Sequence, residues 1–317
     1  MRAGTRALTL MSSPLNVQVL TALADEPRSL VDLRRAAGSP PQTTMRKYLQ
    51  ALTRVGLLER SREPSFPGRV EYQLTDAGSD FLEVISGLQA WLHAAPDGGL
   101  EVGTPASKCA IKSFVDGWSS AVLRVLAARA LTLTELNILI KSLNYPSLER
   151  RLSAMRFSGQ IAHARGGTKG TPYVVTRWLR TAMGPLVLAA RWEREHLNGQ
   201  AVPLSGQDVE ALFLLSTPMM TPPPGFAGSC RFVVEVAAES DPRFAGVTME
   251  AADGRIASLS SRLDGHAEAT VVGPASSWLS AIVTGEGDNL ELDGDHAAGR
   301  ELLACLHQAL FETAQVA

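Results

Sequence analysis

The chain's clearest chemistry sits in Thr43, Arg46, Lys47, Gln50 and Arg54, whose spacing suits one side of a helix. Guanidinium, ammonium and amide groups are the donors that read base edges in a DNA groove or grip backbone phosphates. At 3.6 residues per turn, Met45, Leu49 and Leu52 fall on one face, Thr43, Lys47, Gln50 and Arg54 on the other, and Arg46 beside them. Ser39, followed three residues later by Gln42, offers a capping box, and Pro40 and Pro41 suit a first helical turn. The helix is therefore expected to start near residue 40. Alone, a charged helix is as readily a solvated face as a reading one, so the neighbouring elements decide.

After Gly56, a helix stop, Leu57 to Arg62 and Arg69 to Leu74 flank a Pro/Gly turn, Pro64 to Gly68. This is a short hairpin with Arg60, Arg62 and Arg69 near its tip. Before the reading helix, Ser29 is an N-cap residue for Leu30 to Ala37, which stops at Gly38 and so forms the supporting helix. Leu8 to Ala24 carries an apolar stripe bent near Pro14, and Phe81, Ile85, Leu88, Trp91 and Leu92 carry another. The order helix, turn, helix, hairpin is that of a winged helix-turn-helix. The segment Val70-Glu71-Tyr72-Gln73-Leu74-Thr75-Asp76-Ala77-Gly78, leading into the helix that ends at Trp91, resembles the HxlR-type winged-helix regulators over residues 7 to 93. That family's Trp near the start of the first helix is replaced here around Pro14-Leu15-Asn16.

The pattern then returns. Val19-Leu20, Leu30-x-Asp32-Leu33, Leu49-x-Ala51-Leu52 and Gly56 recur as Val122-Leu123, Leu133-x-Glu135-Leu136, Leu152-x-Ala154-Met155 and Gly159, always 103 positions later. Past a shorter second hairpin, Tyr72-x-x-Thr75 and Trp91 recur as Tyr173-x-x-Thr176 and Trp192, 101 positions later. A fixed register of this kind marks an internal repeat. The second copy has a Trp at its helix start, Gly117-Trp118-Ser119, nearer the HxlR pattern. Its outward face, with Pro146, Arg150, Ser153 and Phe157, is less polar, and Arg150, Arg151, Arg165 and Lys169 are its candidate DNA contacts. The loop Arg165 to Pro172 lacks the spacing of a phosphate loop and does not lead into a helix, so it is read as a wing.

Composition limits the alternatives. A chain of 317 residues exceeds one ordinary core, and 45% hydrophobic with 20% charged residues is ordinary for a globular protein. No apolar run is long enough to span a membrane, and Arg2 and Arg6 before Leu8 to Met11 give only a faint echo of a signal peptide. Cys109, Cys230 and Cys305 lie far apart, so reduced thiols and a cytoplasmic location are expected. Residues 1–95 hold 11 Lys/Arg and 9 Asp/Glu, residues 105–197 hold 14 and 5, and residues 198–317 hold 5 and 16. A basic front and an acidic rear suit a nucleic-acid binder with an appended domain.

From Pro203 the basic residues thin out. Asp208 to Ser216 reads as a helix, Arg231 to Val236 as a strand, and Val247 to Ser260 as a hairpin over Asp253-Gly254. A strand at Ala267 to Val272, a helix with Trp278, a strand at Asn289 to Leu292, Gly294-Asp295 and a helix over residues 297–311 follow. This order resembles the sterol-carrier-protein fold, which implies an apolar tunnel; Phe213, Met219, Met220, Phe226, Phe232, Met249 and Trp278 are the candidate lining residues. Ordinary core is the simpler role for each.

Enzyme chemistry has no foothold. The six histidines show no metal-ligand spacing, Asp293-Gly294-Asp295-His296 reads as a turn and cap, and no nucleophile elbow or zincin motif occurs. No catalytic residue, metal or cofactor is expected. The expected fold is multidomain α+β: two tandem winged helix-turn-helix domains, residues 1–95 and 105–198, then an α/β sterol-carrier-like domain, residues 203–317. The expected function is a transcriptional regulator that binds double-stranded DNA and responds to an apolar small molecule in its third domain. The HxlR resemblance implies dimers of single winged helices, so the chain is expected to act as a monomeric pseudo-dimer or as a homodimer. A hydrophobic-ligand carrier or protein-assembly module whose winged helices no longer bind DNA is the alternative.

Overall fold

The computed structural model describes residues 2–62, 70–96, 98–117, 120–141, 143–164, 170–197, 199–236 and 243–312. Its first segment runs α1 (Thr5–Met11), α2 (Pro14–Ala22), β1 (Arg28–Ser29), α3 (Leu30–Ala36), α4 (Gln42–Val55), β2 (Leu58–Arg62), β3 (Val70–Leu74) and α5 (Asp76–His93). Pro14 opens α2, where its missing N–H has no helical partner to lose. Ser29 and Thr75 cap α3 and α5 by accepting the N–H groups of Asp32 and Gly78. β3 lies between β1 and β2.

The second segment runs α6 (Pro105–Gly117), α7 (Ser120–Ala128), α8 (Leu133–Leu139), α9 (Tyr145–Phe157), β4 (Ile161–His163), β5 (Tyr173–Val175), α10 (Arg177–Thr181) and α11 (Met183–His196). It matches the first in register as well as order. The pairs Arg28↔Tyr72 and Leu58↔Leu74 have counterparts in Leu131↔Tyr173 and Ile161↔Val175. The caps match too: Thr132 accepts from Glu135 N–H, and Thr176 accepts from Leu179 N–H. Thr75 and Thr176 each donate their hydroxyl to the carbonyl of the glycine that ends the preceding long helix, Gly56 and Gly159. Both glycines are left-handed, with φ of 87° and 78°, a conformation that any Cβ would strain.

Three tryptophans join the segments, and Trp178 Nε1–H donates to the carbonyl of Trp91 at 2.7 Å. Trp91 Nε1–H donates to the carbonyl of Trp178 at 2.9 Å, and Trp192 Nε1–H donates to the carbonyl of Ala77 at 2.7 Å. Trp192 and Trp178 stand 101 positions after Trp91 and Ala77, so equivalent residues exchange equivalent bonds, as across an isologous dimer interface. Around this exchange α5 packs on α11. The Trp91 and Trp178 rings stack with centroids 4.6 Å apart, and Phe81 meets Trp192 edge-on at 4.7 Å. Such contacts add about 0.5–1.5 kcal/mol each beyond the area they bury.

The third segment holds α12 (Gly206–Ser216), a 3-10 turn (Thr217–Met219), β6 (Gly228–Val236), β7 (Arg243–Ala252), β8 (Arg255–Ser260), β9 (Ala269–Pro274), α13 (Ala275–Thr284), β10 (Glu291–Gly294) and α14 (His296–Phe311). The sheet order is β10-β9-β6-β7-β8, antiparallel except where β6 meets β9. Asp253 and Gly254 both take positive φ in the β7–β8 turn, as an Asp-Gly hairpin requires. The last strand departs from expectation: Asn289 and Leu290 precede β10, and Gly294 ends it, because pairing with Ala269 carries the strand to that glycine. Asp295 caps α14 by accepting from Ala297 and Ala298 N–H.

This segment is docked, not merely tethered. α12 lies on α7, while α13 and α14 lie on α11, and one continuous apolar core runs through all three segments. Arg180 Nη1 donates to the carbonyls of Leu214 and Leu215 at 3.2 and 3.0 Å, satisfying groups at the C-terminal end of α12. Arg124 pairs with Glu210 at 2.6 Å. Gly184 permits the close approach of α11 to α14, since an added Cβ would sit 2.9 Å from the Leu310 carbonyl oxygen.

Replacing Trp192 with Phe keeps a ring but removes the bond to Ala77. Urea denaturation should show a loss of about 1–3 kcal/mol, with a similar loss for Trp91→Phe. An unchanged midpoint for both would mean that the exchange does not hold the segments together.

Candidate nucleic-acid interface

The reading helix begins two residues later than the sequence suggests. Ser39 lies at φ 60° and sends its N–H to the Arg34 carbonyl at 2.7 Å, so it finishes α3 and does not cap α4. Pro41 is the N-cap, with no side-chain bond, and the Ser39/Gln42 capping box does not form. Arg34 Nε holds the intervening turn by donating to the Pro40 carbonyl at 2.7 Å. The prolines therefore serve the turn and the cap, before the first helical residue.

From Gln42 onward the two faces separate as expected. Met45, Leu49 and Leu52 are fully buried, and Thr43, Arg46, Lys47, Gln50 and Arg54 are exposed. Among the described residues no carboxylate pairs with Arg46, Lys47 or Arg54. A row of cations with no internal partner has its donors available to an external anion. Arg60 is exposed on β2, opposite Tyr72. Arg62 pairs through its backbone with Val70, while its side chain, like Arg69, Arg165, Lys169, Trp118 and the turn Pro64 to Gly68, lies outside the described residues.

The corresponding face of α9 carries different chemistry. At the positions of Thr43, Arg46, Lys47, Gln50 and Arg54 stand Pro146, Glu149, Arg150, Ser153 and Phe157, all exposed. Phe157 is 87% exposed, and Glu149 would repel a phosphate where Arg46 attracts one. Arg151 parts from Arg150: it is half-buried and lines a cleft between the first two segments with Arg2, Arg6 and Arg54. Arg156 meets His163 at 3.0 Å, a contact the sequence did not suggest.

The seven candidate tunnel residues have core positions. Phe213, Phe232 and Trp278 pack mutually with ring centroids 5.1–5.7 Å apart, and Trp278 Nε1–H donates to the Val233 carbonyl. Met249 and Met220 are buried, and Met219 and Phe226 pack against the same core. Cys230 lies in β6, where burial pushes its thiol up to about 12 and leaves it unreactive.

Glu193 was missed by the reading of the sequence. It is buried and accepts the Gly4 and Ala7 N–H groups at 2.9 Å each, fixing the start of α1 on α11. Burial raises its carboxyl above the ordinary value, and the backbone donors oppose that rise. Its place beside Trp192 among Arg191, Arg194, Glu195 and His196 gave no signal that it would be buried. No group of three or more His, Cys, Asp or Glu that could hold a metal occurs among the described residues, and no helix there is long and apolar enough to cross a membrane.

A supporting helix, an amphipathic second helix with an exposed basic face, and a hairpin behind it define a helix-turn-helix protein. The model of the HxlR-like helix-turn-helix family matches residues 10–97. An uncharacterized HTH-type transcriptional regulator of Halalkalibacterium halodurans, BH0655, is 31% identical over 85 residues, 26% of this chain and 75% of that protein. Another, YtfH of Escherichia coli, is 34% identical over 83 residues, 26% of this chain, and the chain spans 66% of its length. The crystal structure of diamide-treated YodB from B. subtilis is 26% identical, with 27% of this chain and 85% of that one covered and a TM-score of 0.26. Through its first hundred residues the chain belongs to the HxlR-like helix-turn-helix family.

If the outer face of α4 is kept for a ligand, truncating it should barely affect folding. Arg46→Ala, Lys47→Ala and Gln50→Ala should each shift unfolding free energy by less than about 0.5 kcal/mol, against about 2–5 kcal/mol for Leu49→Ala. Chemical denaturation reads both, and a large loss at Lys47 or Gln50 would assign the face a structural role.

Proposed function

We propose that this protein is a DNA-binding transcriptional regulator built from two covalently joined winged helix-turn-helix units braced by a sterol-carrier-like third domain. The single observation that carries the reading is the exposed, unpaired basic face of α4. Thr43, Arg46, Lys47, Gln50 and Arg54 enter the major groove, and Arg60, Arg62 and Arg69 of the wing grip phosphates. The tandem reading is supported by the matched caps, hairpin registers and indole exchange of the two segments.

The second unit has a lesser share in reading bases. Pro146 and Phe157 offer no donors, and Glu149 opposes phosphate, so Arg150, with Arg165 and Lys169 of its wing, supplies phosphate contacts and orientation. The third domain acts as a brace and assembly platform in this reading. An apolar effector in its interior would have to displace Phe213, Phe232 or Trp278, which favours the platform role over the ligand-sensor role that the sterol-carrier resemblance implies. No catalytic step is assigned to any domain.

Mobility shifts on promoter fragments test the proposal. Lys47→Ala with Gln50→Ala should weaken specific binding about ten- to a hundredfold and non-specific binding far less. Arg60→Ala should weaken both and reduce the slope of log affinity against log salt by about 0.9. Equal losses on specific and non-specific DNA for the first variant would remove sequence reading from α4.

A further inference from the structure

The exchange of indole bonds sets two clefts in equivalent places, one on each side of the junction between the first two segments. Gly56 lines the first and Gly159, its counterpart, lines the second. The two have diverged in both volume and chemistry. The first has a volume of about 1140 Å³ and the second about 310 Å³. Ala77 leaves the first open where Trp178 fills the second, and Arg6 and Arg54 line the first where Cys109 and Phe157 line the second. Arg2 and Arg151 complete a group of four guanidinium groups around the larger cleft.

The positive charge there is only partly compensated. Arg2 reaches Asp208 at 3.6 Å, and Arg6 donates to the Gln200 carbonyl at 3.1 Å. Among the described residues Arg54 and Arg151 meet no carboxylate. Burial and the nearby charge of Arg151 both push the Arg2 guanidinium below its ordinary value, against the opposing pull of Asp208. Of the two carboxylates lining the cleft, Glu195 lies 3.9 Å from Arg191, and Asp76 sits in the first turn of α5. Converging like charges in a partly enclosed space favour a counter-anion, and planar guanidinium forks match carboxylate and phosphate oxygens in pairs.

We propose that this cleft binds a small anion bearing at least two negative charges on carboxylate or phosphate groups, held between Arg54 of the first segment and Arg151 of the second. Leu10, Val55 and Trp192 give the anion's body an apolar wall. Because Arg54 lies in the last turn of α4 and Arg151 on α9, an occupant bridges the two helices and favours one separation of them. Such an anion can change DNA affinity by engaging Arg54, which the DNA-binding reading also uses, or by binding one arrangement of the helices better than the other. This goes beyond the DNA-binding reading and does not depend on it.

The test is calorimetric titration of the full chain, without DNA, at about physiological salt. Pyrophosphate and citrate separate phosphate from carboxylate preference. At least one should bind with a dissociation constant near or below about 1 mM. Arg54→Gln and Arg151→Gln should each weaken it about tenfold or more, and Lys141→Gln, which removes an exposed charge that does not line the cleft, should leave it unchanged. Arg54 is exposed, so its variant tests the site without risking the fold. Absence of binding by both probes, or equal weakening in all three variants, would overturn the proposal.

Discussion

The structure depends on three indole N–H groups that cross between its halves. Each donates to a main-chain carbonyl of the opposite segment, from Trp91 to Trp178, from Trp178 to Trp91 and from Trp192 to Ala77. A buried indole N–H without an acceptor costs about 1–3 kcal/mol, so the packing of α5 on α11 is restricted to arrangements that keep all three bonds. This fixes how the halves face one another and therefore where α4 and α9 can point. Glu193 adds a second lock by holding the start of α1 on α11 through two backbone N–H groups.

Joining two halves in one chain frees each from the need to match the other. In a dimer of identical chains, a change at the reading face or the cleft appears twice. Here it appears once, so Arg54 can have Phe157 as its counterpart and Ala77 can have Trp178. The third segment is equally one-sided. It docks on α7 and α11 and puts Arg180 at the end of α12, a contact with no equivalent on the first segment, where Ser79 stands at the matching position.

Much of this was legible in the sequence because it is written in local patterns. The 3.6-residue spacing of Met45, Leu49 and Leu52 gave the buried face of α4, the Asp253-Gly254 pair gave the hairpin, and the recurrence of Gly56, Thr75 and Trp91 gave the paired organisation. What stayed hidden depends on residues far apart in the chain. Ser39 looks like a cap until its N–H is seen to close α3 on Arg34, and Arg151 looks like a neighbour of Arg150 until Arg2 is brought beside it. That Phe213, Phe232 and Trp278 pack on one another could not be read from the sequence, because they lie on three different elements.

The central claim is that one chain presents two joined winged helices of which the first reads the bases. Footprinting of a one-to-one complex, with hydroxyl radicals for the backbone and guanine methylation interference for the major groove, tests it most directly. The account predicts two protected backbone regions about one helical turn, roughly 10 base pairs, apart, with strong methylation interference in only one of them. Equal interference in both regions, or protection of a single region, would contradict it.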